Sequence, residues 1–159
     1  MLGSAAFFYP GREYVLVALM LFLPLFDRHW KLPVFTHQRG DWSVWVGMLL
    51  VMVGLLVWQK QFIGFAAATL LLAALPEEWF FRAYFMTRLD DGLRANLVTS
   101  LLFSFLHGLT RGWTTALLVF FPSLFYGWLY QTKRNLPMLI AIHALSNLIL
   151  AMVLGIGRA

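Results

Sequence analysis

Residues 62–86 read FIGFAAATLLLAALPEEWFFRAYFM, an apolar run that nevertheless carries three charged side chains. The run is long enough to cross a bilayer, which takes about 20 residues in a helix. On insertion scales its Leu, Ile and Phe residues contribute roughly −3 to −6 kcal/mol in total. Glu77, Glu78 and Arg82 would cost roughly 7.5–10.5 kcal/mol together if charged at the bilayer centre. The three charges must therefore pair, become neutral or face a wet cavity, and charged residues in such positions are usually functional.

The composition predicts a membrane protein. The 159 residues are 61% hydrophobic and 12% charged, against about 25% charged in an ordinary soluble domain. The absence of cysteine excludes disulfides and thiolate metal sites. The net charge of +5 comes from Lys and Arg placed singly or in pairs between apolar runs, so the basic patch needed to bind nucleic acid is missing.

Six apolar runs, with their flanks, organise the chain: 13–27, 42–58, 62–86, 95–110, 113–131 and 136–156. No small-residue cleavage site follows the first run, so we expect a retained span there rather than a signal peptide. Short connections place consecutive helices antiparallel. The sequence predicts an all-α, polytopic membrane bundle of about six transmembrane helices. We expect a single domain over 1–159, with a motif-bearing core at about 70–150.

The distribution of Lys and Arg predicts the orientation in the membrane. One set of loops carries the larger number of basic residues: Arg28, Lys31, Arg39, Arg88, Arg94, Lys133 and Arg134. The opposite ends carry the smaller number: Arg12, Lys60, Arg111 and Arg158. By the positive-inside rule we expect the first set in the cytoplasm and both termini outside.

The two adjacent acids are expected to face different surroundings. Glu78 and Arg82 are four residues apart, which places them on one helix face in the favourable order for an ion pair. Glu77 lies about 100° further around the helix and has no partner in its own segment. Alternatively, the span ends at Pro76, and both acids occupy the first turn of a cytoplasmic helix. The aromatic residues that continue to position 85 favour the first interpretation.

Two further helices carry polar residues at helical spacing. A polar stripe is expected on one face of the fourth run: Asn96, Ser100, Ser104 and His107. In the sixth run, His143 and Asn147 are four apart and share a face. The alternative interpretations are an interfacial histidine at 107, and hydrogen bonds to neighbouring helices at 143 and 147.

The two histidines and Asn147 are predicted to lie at a similar depth in the membrane to Glu77. At 1.5 Å per residue, Glu77, His107, His143 and Asn147 all lie roughly 10–18 Å from the proposed cytoplasmic ends of their helices. A poorly solvated carboxylate is a competent base near neutral pH, and histidine and amide groups can orient water and bind an oxyanion. This set is suited to peptide hydrolysis by an activated water. None of the three candidate serine nucleophiles, Ser100, Ser104 and Ser146, lies in a G-x-S-x-G motif.

The ordered motifs Glu77-Glu78-x-x-x-Arg82, Phe103-x-x-x-His107 and His143-x-x-x-Asn147 resemble the CAAX protease and bacteriocin-processing family, also called the abortive-infection family. The resemblance covers about 70–150 and implies a glutamate-type intramembrane endopeptidase of all-helical fold. It implies Glu77 as the general base, with His107 as its partner on the water. It further implies an oxyanion hole of His143 and Asn147, with Glu78 and Arg82 in support.

The resemblance also bears on cofactors and partners. One Glu and two His are compatible with zinc, but H-E-x-x-H is absent and the family resembled works without a metal, so no cofactor is expected. The expected partners are the lipid bilayer and a membrane-associated protein or peptide, including one with a C-terminal sorting tail. The expected location is a bacterial inner membrane. The chain is shorter than the eukaryotic prenyl-protein proteases, which have about eight spans, so the resemblance does not select a prenylated substrate.

Two other functions remain open at the level of sequence. A binding or immunity protein could use the same fold without turnover. A metal- or haem-binding membrane protein could use His107 and His143 as ligands on facing helices.

Overall fold

A computed structural model describes residues 12–31, 41–90 and 92–156. Within these residues the chain forms six helices and no strand: α1 (Arg12–Phe26), α2 (Asp41–Trp58), α3 (Lys60–Met86), α4 (Leu93–Arg111), α5 (Trp113–Lys133) and α6 (Leu136–Leu154). Each helix coincides with one of the six apolar runs to within a few residues. The predicted all-α membrane bundle is confirmed.

The third helix continues through Pro76, so the alternative in which the span ends there is wrong. Proline lacks an N–H and its ring crowds the carbonyl four residues earlier, which normally kinks or breaks a helix. Here the helix widens into π-type turns on both sides of the proline, at Leu70–Ala74 and Trp79–Met86. A π-type turn adjusts the hydrogen-bond ladder without ending the helix, and such turns are frequent at functional sites. Both acids therefore lie inside α3, away from its ends.

Length and hydropathy single out two of the described helices as able to cross a membrane, Lys60–Met86 and Leu136–Leu154. Tyr14–Phe26 and Ser43–Trp58 are apolar but shorter. Large apolar side chains also cover the outside of the bundle, for example Leu117, Phe121 and Val153, which are 73%, 72% and 76% exposed. An exposed apolar surface of this extent is suited to lipid rather than water. The chain is an integral membrane protein.

Contacts between loops show which helix ends lie together. Arg88 Nε lies 3.1 Å from Asp27 Oδ2, which joins the end of α1 to the end of α3. Gln131 Nε2 donates to the Gly92 carbonyl at 2.9 Å, which joins the end of α5 to the start of α4. These contacts fit the predicted antiparallel order and place the basic loops at one end. Arg39 and Arg158 lie outside the described residues, and the membrane side that each end faces stays a prediction.

Helices α4 and α5 pack closely because small residues lie between them. Only Gly112 separates the two helices. Its φ is 96°, a backbone conformation that residues other than glycine rarely adopt. Further along, Gly127 of α5 lies against Asn96, whose amide donates to the Leu124 carbonyl at 3.0 Å. The close pair fixes the face of α4 that is turned to the bundle interior.

Candidate active site

Glu78 lies at the centre of a buried ionic network. Its side chain is fully buried, and its Oε1 accepts a 2.7 Å hydrogen bond from His143 Nδ1. Its other oxygen lies 3.5 Å from Arg82 Nε, which confirms the predicted ion pair. Arg82, also fully buried, donates from Nη2 to the Ser123 hydroxyl at 2.8 Å and to the Ser123 carbonyl at 3.1 Å. The network therefore ties α3 to α5 and α6.

Glu77 lies on the opposite side of the His143 ring from Glu78, between two imidazoles. Its Oε1 is 3.9 Å from His107 Nε2, and its Oε2 is 3.8 Å from His143 Nε2. The three side chains are nearly buried, with 7–12% of their surface exposed. Polar groups at these separations are too far apart for a direct hydrogen bond and are commonly bridged by a water molecule. The structure thus brings Glu77 and both inner histidines together.

Each histidine is held through its Nδ1 atom, which leaves Nε2 directed to Glu77. His107 Nδ1 donates to the Phe103 carbonyl at 3.0 Å, and the Phe103 ring lies 4.3 Å from the imidazole ring, centroid to centroid. His143 Nδ1 donates to Glu78, and the Tyr126 ring lies 5.1 Å from its imidazole. A hydrogen bond at one ring nitrogen fixes the orientation of the ring and the role of the other nitrogen. Both Nε2 atoms are therefore available to a reacting molecule.

Asn147 lies in the same region, one turn along α6 from His143. Its Nδ2 donates to the hydroxyl of Thr69 at 3.2 Å, and Thr69 is itself buried in α3. The hydrogen bond fixes the amide plane of Asn147 against α3. An amide offers two donors and one acceptor, and among the described residues the second hydrogen and the carbonyl oxygen of Asn147 have no hydrogen-bond partner.

Two neighbouring cavities meet at Glu77. A cavity of about 170 Å³ is enclosed mainly by α3, α4, α5 and α6, and its polar lining includes Glu77, His107, Arg111, Tyr126, His143 and Asn147. A second cavity of about 280 Å³ lies between α1, α3 and α4, and its lining includes Leu16, Met20, Phe81, Glu77, His107 and Arg111. Both cavities combine polar side chains with a larger apolar lining. Glu77 and His107 stand at the boundary between them.

The polar stripe of α4 forms one buried face, as predicted, but only its histidine reaches the cavities. Ser100 donates to Asn96 at 3.3 Å, and Asn96 bonds to α5, so both serve helix packing. Ser104 is buried on the same face and does not line either cavity. Ser146 lines the smaller cavity, but its hydroxyl donates to the Ile142 carbonyl at 2.8 Å. No serine in this region has the partner that a nucleophile needs.

The described residues include no group of three or more His, Asp or Glu side chains arranged to hold a metal ion. The Glu77 carboxylate faces the Nε2 atoms of both histidines, and the oxygen-to-nitrogen distances are 3.8 and 3.9 Å.

Sequence reasoning missed several residues that hold the site together. Thr69, Ser123 and Tyr126 carry no motif, and each contacts a site residue on another helix. The contact between Glu78 and His143 was also missed, because it spans 65 residues of chain. Arg111 did have a signal, its spacing of four residues from His107, which places both on one face of α4.

Comparison with known proteins identifies the family to which the chain belongs. No curated protein and no solved structure matches the chain. A family model described as "Type II CAAX prenyl endopeptidase Rce1-like" matches residues 42–149, which is about two thirds of the chain and includes all seven named residues of the three motifs. The resemblance found in the sequence is therefore confirmed, and it implies a membrane-embedded peptide hydrolase of the CAAX type. The chain belongs to the Rce1-like family of type II CAAX prenyl endopeptidases.

Proposed function

We propose that this chain is an intramembrane endopeptidase that hydrolyses a peptide bond near the membrane face of a membrane-associated protein or peptide. The observation that carries the proposal is the position of the Glu77 carboxylate, which lies 3.8–3.9 Å from the Nε2 atoms of both inner histidines beside two cavities. The carboxylate is well placed to hold a water molecule together with His107.

In the proposed first step, the water attacks the carbonyl carbon of the scissile bond. Its proton passes to the Glu77 carboxylate, while Nε2 of His107 orients the water by accepting its second hydrogen. A positioned general base of this kind contributes roughly 10²–10⁴-fold to the rate. The carbonyl oxygen becomes an oxyanion as the tetrahedral intermediate forms.

The oxyanion is proposed to lie between His143 and Asn147. His143 donates from Nε2 only in its doubly protonated form, because Nδ1 already donates to Glu78. The negative charge of Glu78 at 2.7 Å stabilises that imidazolium, and the Asn147 amide supplies a second donor. Collapse of the intermediate then breaks the C–N bond, and the proton held by Glu77 passes to the leaving amine.

Glu78 and Arg82 are proposed to support the site rather than touch the substrate. Glu78 holds the His143 ring, and Arg82 holds Glu78 while its guanidinium is anchored to Ser123. Both side chains are fully buried, so a substrate cannot reach them without a large movement.

We propose that the reaction uses no metal. Treatment with a strong chelator, followed by elemental analysis, should leave the rate of cleavage unchanged and find less than stoichiometric zinc. Loss of activity on chelation that zinc restores would assign Glu77, His107 and His143 as ligands instead.

The proposed substrate is a membrane-associated protein or peptide, including one that carries a C-terminal sorting tail, in a bacterial inner membrane. The 280 Å³ cavity beside Glu77, whose lining includes apolar side chains of α1 and α3, supports a substrate that arrives from the lipid phase. The proposed unit is a single domain over 1–159, with its chemistry in the core at about 70–150.

The substitution Glu77→Gln tests the proposal. It keeps the volume of the side chain and removes the base, so cleavage should fall by roughly 10²–10⁴-fold while the protein still inserts and folds. Mass spectrometry of membrane proteins from cells with either form would reveal the terminus that is lost. Asp90→Asn is the matched control, because it removes an exposed carboxylate far from the cavities, and asparagine tolerates the positive φ of 67° found there.

Full activity of the Glu77→Gln variant would rule out Glu77 as the base. A variant that stops cleavage in vitro but keeps the phenotype of the wild-type protein would favour the binding or immunity function.

A further inference from the structure

Arg111 places a positive charge beside the two cavities at Glu77. It is the last residue of α4, one helical turn after His107, and its side chain is exposed. Across residues 12–31, 41–90 and 92–156, no hydrogen bond or ion pair reaches its guanidinium. The other arginine near the site, Arg82, is fully buried and bound to Glu78 and Ser123.

The position of Arg111 connects it with the proposed chemistry. It lines both the 170 Å³ and the 280 Å³ cavity, and it is the sole Lys or Arg among the described residues that line them. It lies close enough to Glu77 and His107 to interact with them electrostatically. A molecule that occupies either cavity and approaches Glu77 therefore passes within reach of a positively charged fork.

We infer that Arg111 binds a carboxylate of the substrate, a few residues from the scissile bond; the inference rests on the proposed function. A guanidinium offers parallel N–H donors that match the two oxygens of a carboxylate, and this geometry gives both strength and orientation. The Cβ atoms of residues four apart on a helix lie about 5–6 Å from each other. An extended peptide advances about 3.3 Å per residue, so the bound carboxylate lies within a few residues of the attacked carbonyl.

Two sources of carboxylate have this chemistry, the free C-terminus of the substrate and the side chain of an Asp or Glu near it. A C-terminal source fits the smaller cavity better, because that cavity is the less open of the two and a chain that ends there needs no exit. The bound carboxylate also explains how a small site selects one bond, since it fixes the register of the peptide relative to Glu77.

The test uses a farnesylated peptide with a CAAX sequence in three forms: the free acid, the C-terminal amide, and the amide with Asp at the last position. Binding is measured by fluorescence anisotropy in detergent on the Glu77→Gln variant, so that it does not depend on turnover. We expect the free acid to bind about tenfold or more tightly than the amide, as a charge-assisted pair implies. Adding the Arg111→Gln substitution to this variant should remove the preference for the free acid. Arg111→Lys should keep part of the preference, because lysine keeps the positive charge but lacks the parallel N–H donors of the guanidinium.

Lys60→Gln is the matched control, because it removes one exposed positive charge predicted to lie at the same membrane face and lines neither cavity. It should leave the preference for the free acid intact. Tight binding of the Asp-containing amide would assign the side-chain source instead of the C-terminus.

Several outcomes would overturn the inference. Equal affinity for acid and amide, or no binding of either, removes the carboxylate site. An equal loss for both forms in Arg111→Gln would show that Arg111 acts on lipid phosphate or on folding. The proposed function fails separately, if the wild-type protein binds the free acid in an Arg111-dependent way but never cleaves it.

Discussion

The two adjacent glutamates have different roles: Glu78 holds the structure together, and Glu77 is proposed to carry out the chemistry. Glu78 is fully buried and bonded to His143 and Arg82, whereas Glu77 faces two cavities and approaches the same histidine from its other nitrogen. Because successive helical residues differ by about 100°, the two side chains leave the helix in different directions. His143 thereby receives one carboxylate on each side of its ring.

At Glu78 we predict a large loss of stability on substitution. Glu78→Gln leaves the Arg82 charge buried without its counterion, which typically costs about 3–5 kcal/mol in the free energy of unfolding. Thermal unfolding in detergent, followed by tryptophan fluorescence, should show a clear fall in the midpoint temperature. Glu77→Gln is the matched control and should unfold close to the wild-type temperature. Similar midpoints for the two variants would contradict the assigned division of roles.

At Asn147 we predict a catalytic defect with little change in substrate binding. Asn147→Ala removes one proposed oxyanion donor, and loss of such a donor lowers kcat by about 10²–10³-fold because it acts mainly in the transition state. Steady-state kinetics should show this fall with KM nearly unchanged. Thr69→Val, which removes the hydroxyl that holds the amide, should give a smaller defect of the same kind. A rise in KM alone would show that Asn147 binds the substrate instead.

Among the elements, the pair of α4 and α5 sets the direction in which His107 points. The two helices are joined through one glycine and pack through Gly127 and Asn96, so the stripe that carries His107 is turned to α3 and α6. On α3, the π-type turns around Pro76 keep the helix continuous and present the acids to that stripe. The site is assembled from helix faces rather than from a loop.

Gly127→Ala should weaken the α4–α5 packing. A Cβ at this position would lie 1.9 Å from Asn96 Oδ1, so the helices must shift, and overpacking of this kind costs about 1–3 kcal/mol in the free energy of unfolding. Thermal unfolding in detergent measures the effect. Gly54→Ala in α2 is the control, because nothing lies within 4 Å of its added Cβ, and it should be neutral or stabilising by up to about 1 kcal/mol. Equal effects of the two changes would contradict the close packing.

At the scale of the whole molecule, the loops are gathered at two opposite ends. The ion pair of Arg88 with Asp27 and the hydrogen bond of Gln131 to Gly92 join one set, and Arg94 belongs to the same end. Lys60 starts α3 at the other end. The positive-inside rule assigns the first end to the cytoplasm.

Cysteine labelling tests this orientation, and the chain is convenient for it because it contains no cysteine. With Lys60→Cys, a membrane-impermeant maleimide should label intact cells. With Arg94→Cys, it should label only after permeabilisation. The reversed pattern would invert the predicted topology without changing the fold.

The sequence by itself determined the helices and the identity of the candidate residues. Hydrophobic runs report spans directly, because each must match the bilayer and satisfy its own backbone hydrogen bonds. Helical spacing likewise predicted the pairing of Glu78 with Arg82 and the buried stripe that includes His107. These are relations within one helix, where distance along the chain fixes distance in space.

Only the tertiary structure decided which helix faces meet. The bond of Glu78 to His143, the position of Thr69 on Asn147 and the two cavities at Glu77 depend on how separate helices rotate and pack. Lipid is as apolar as the helices, so hydrophobicity does not choose the facing surfaces. Packing of small residues and buried polar bonds choose them instead, and both act between segments far apart in sequence.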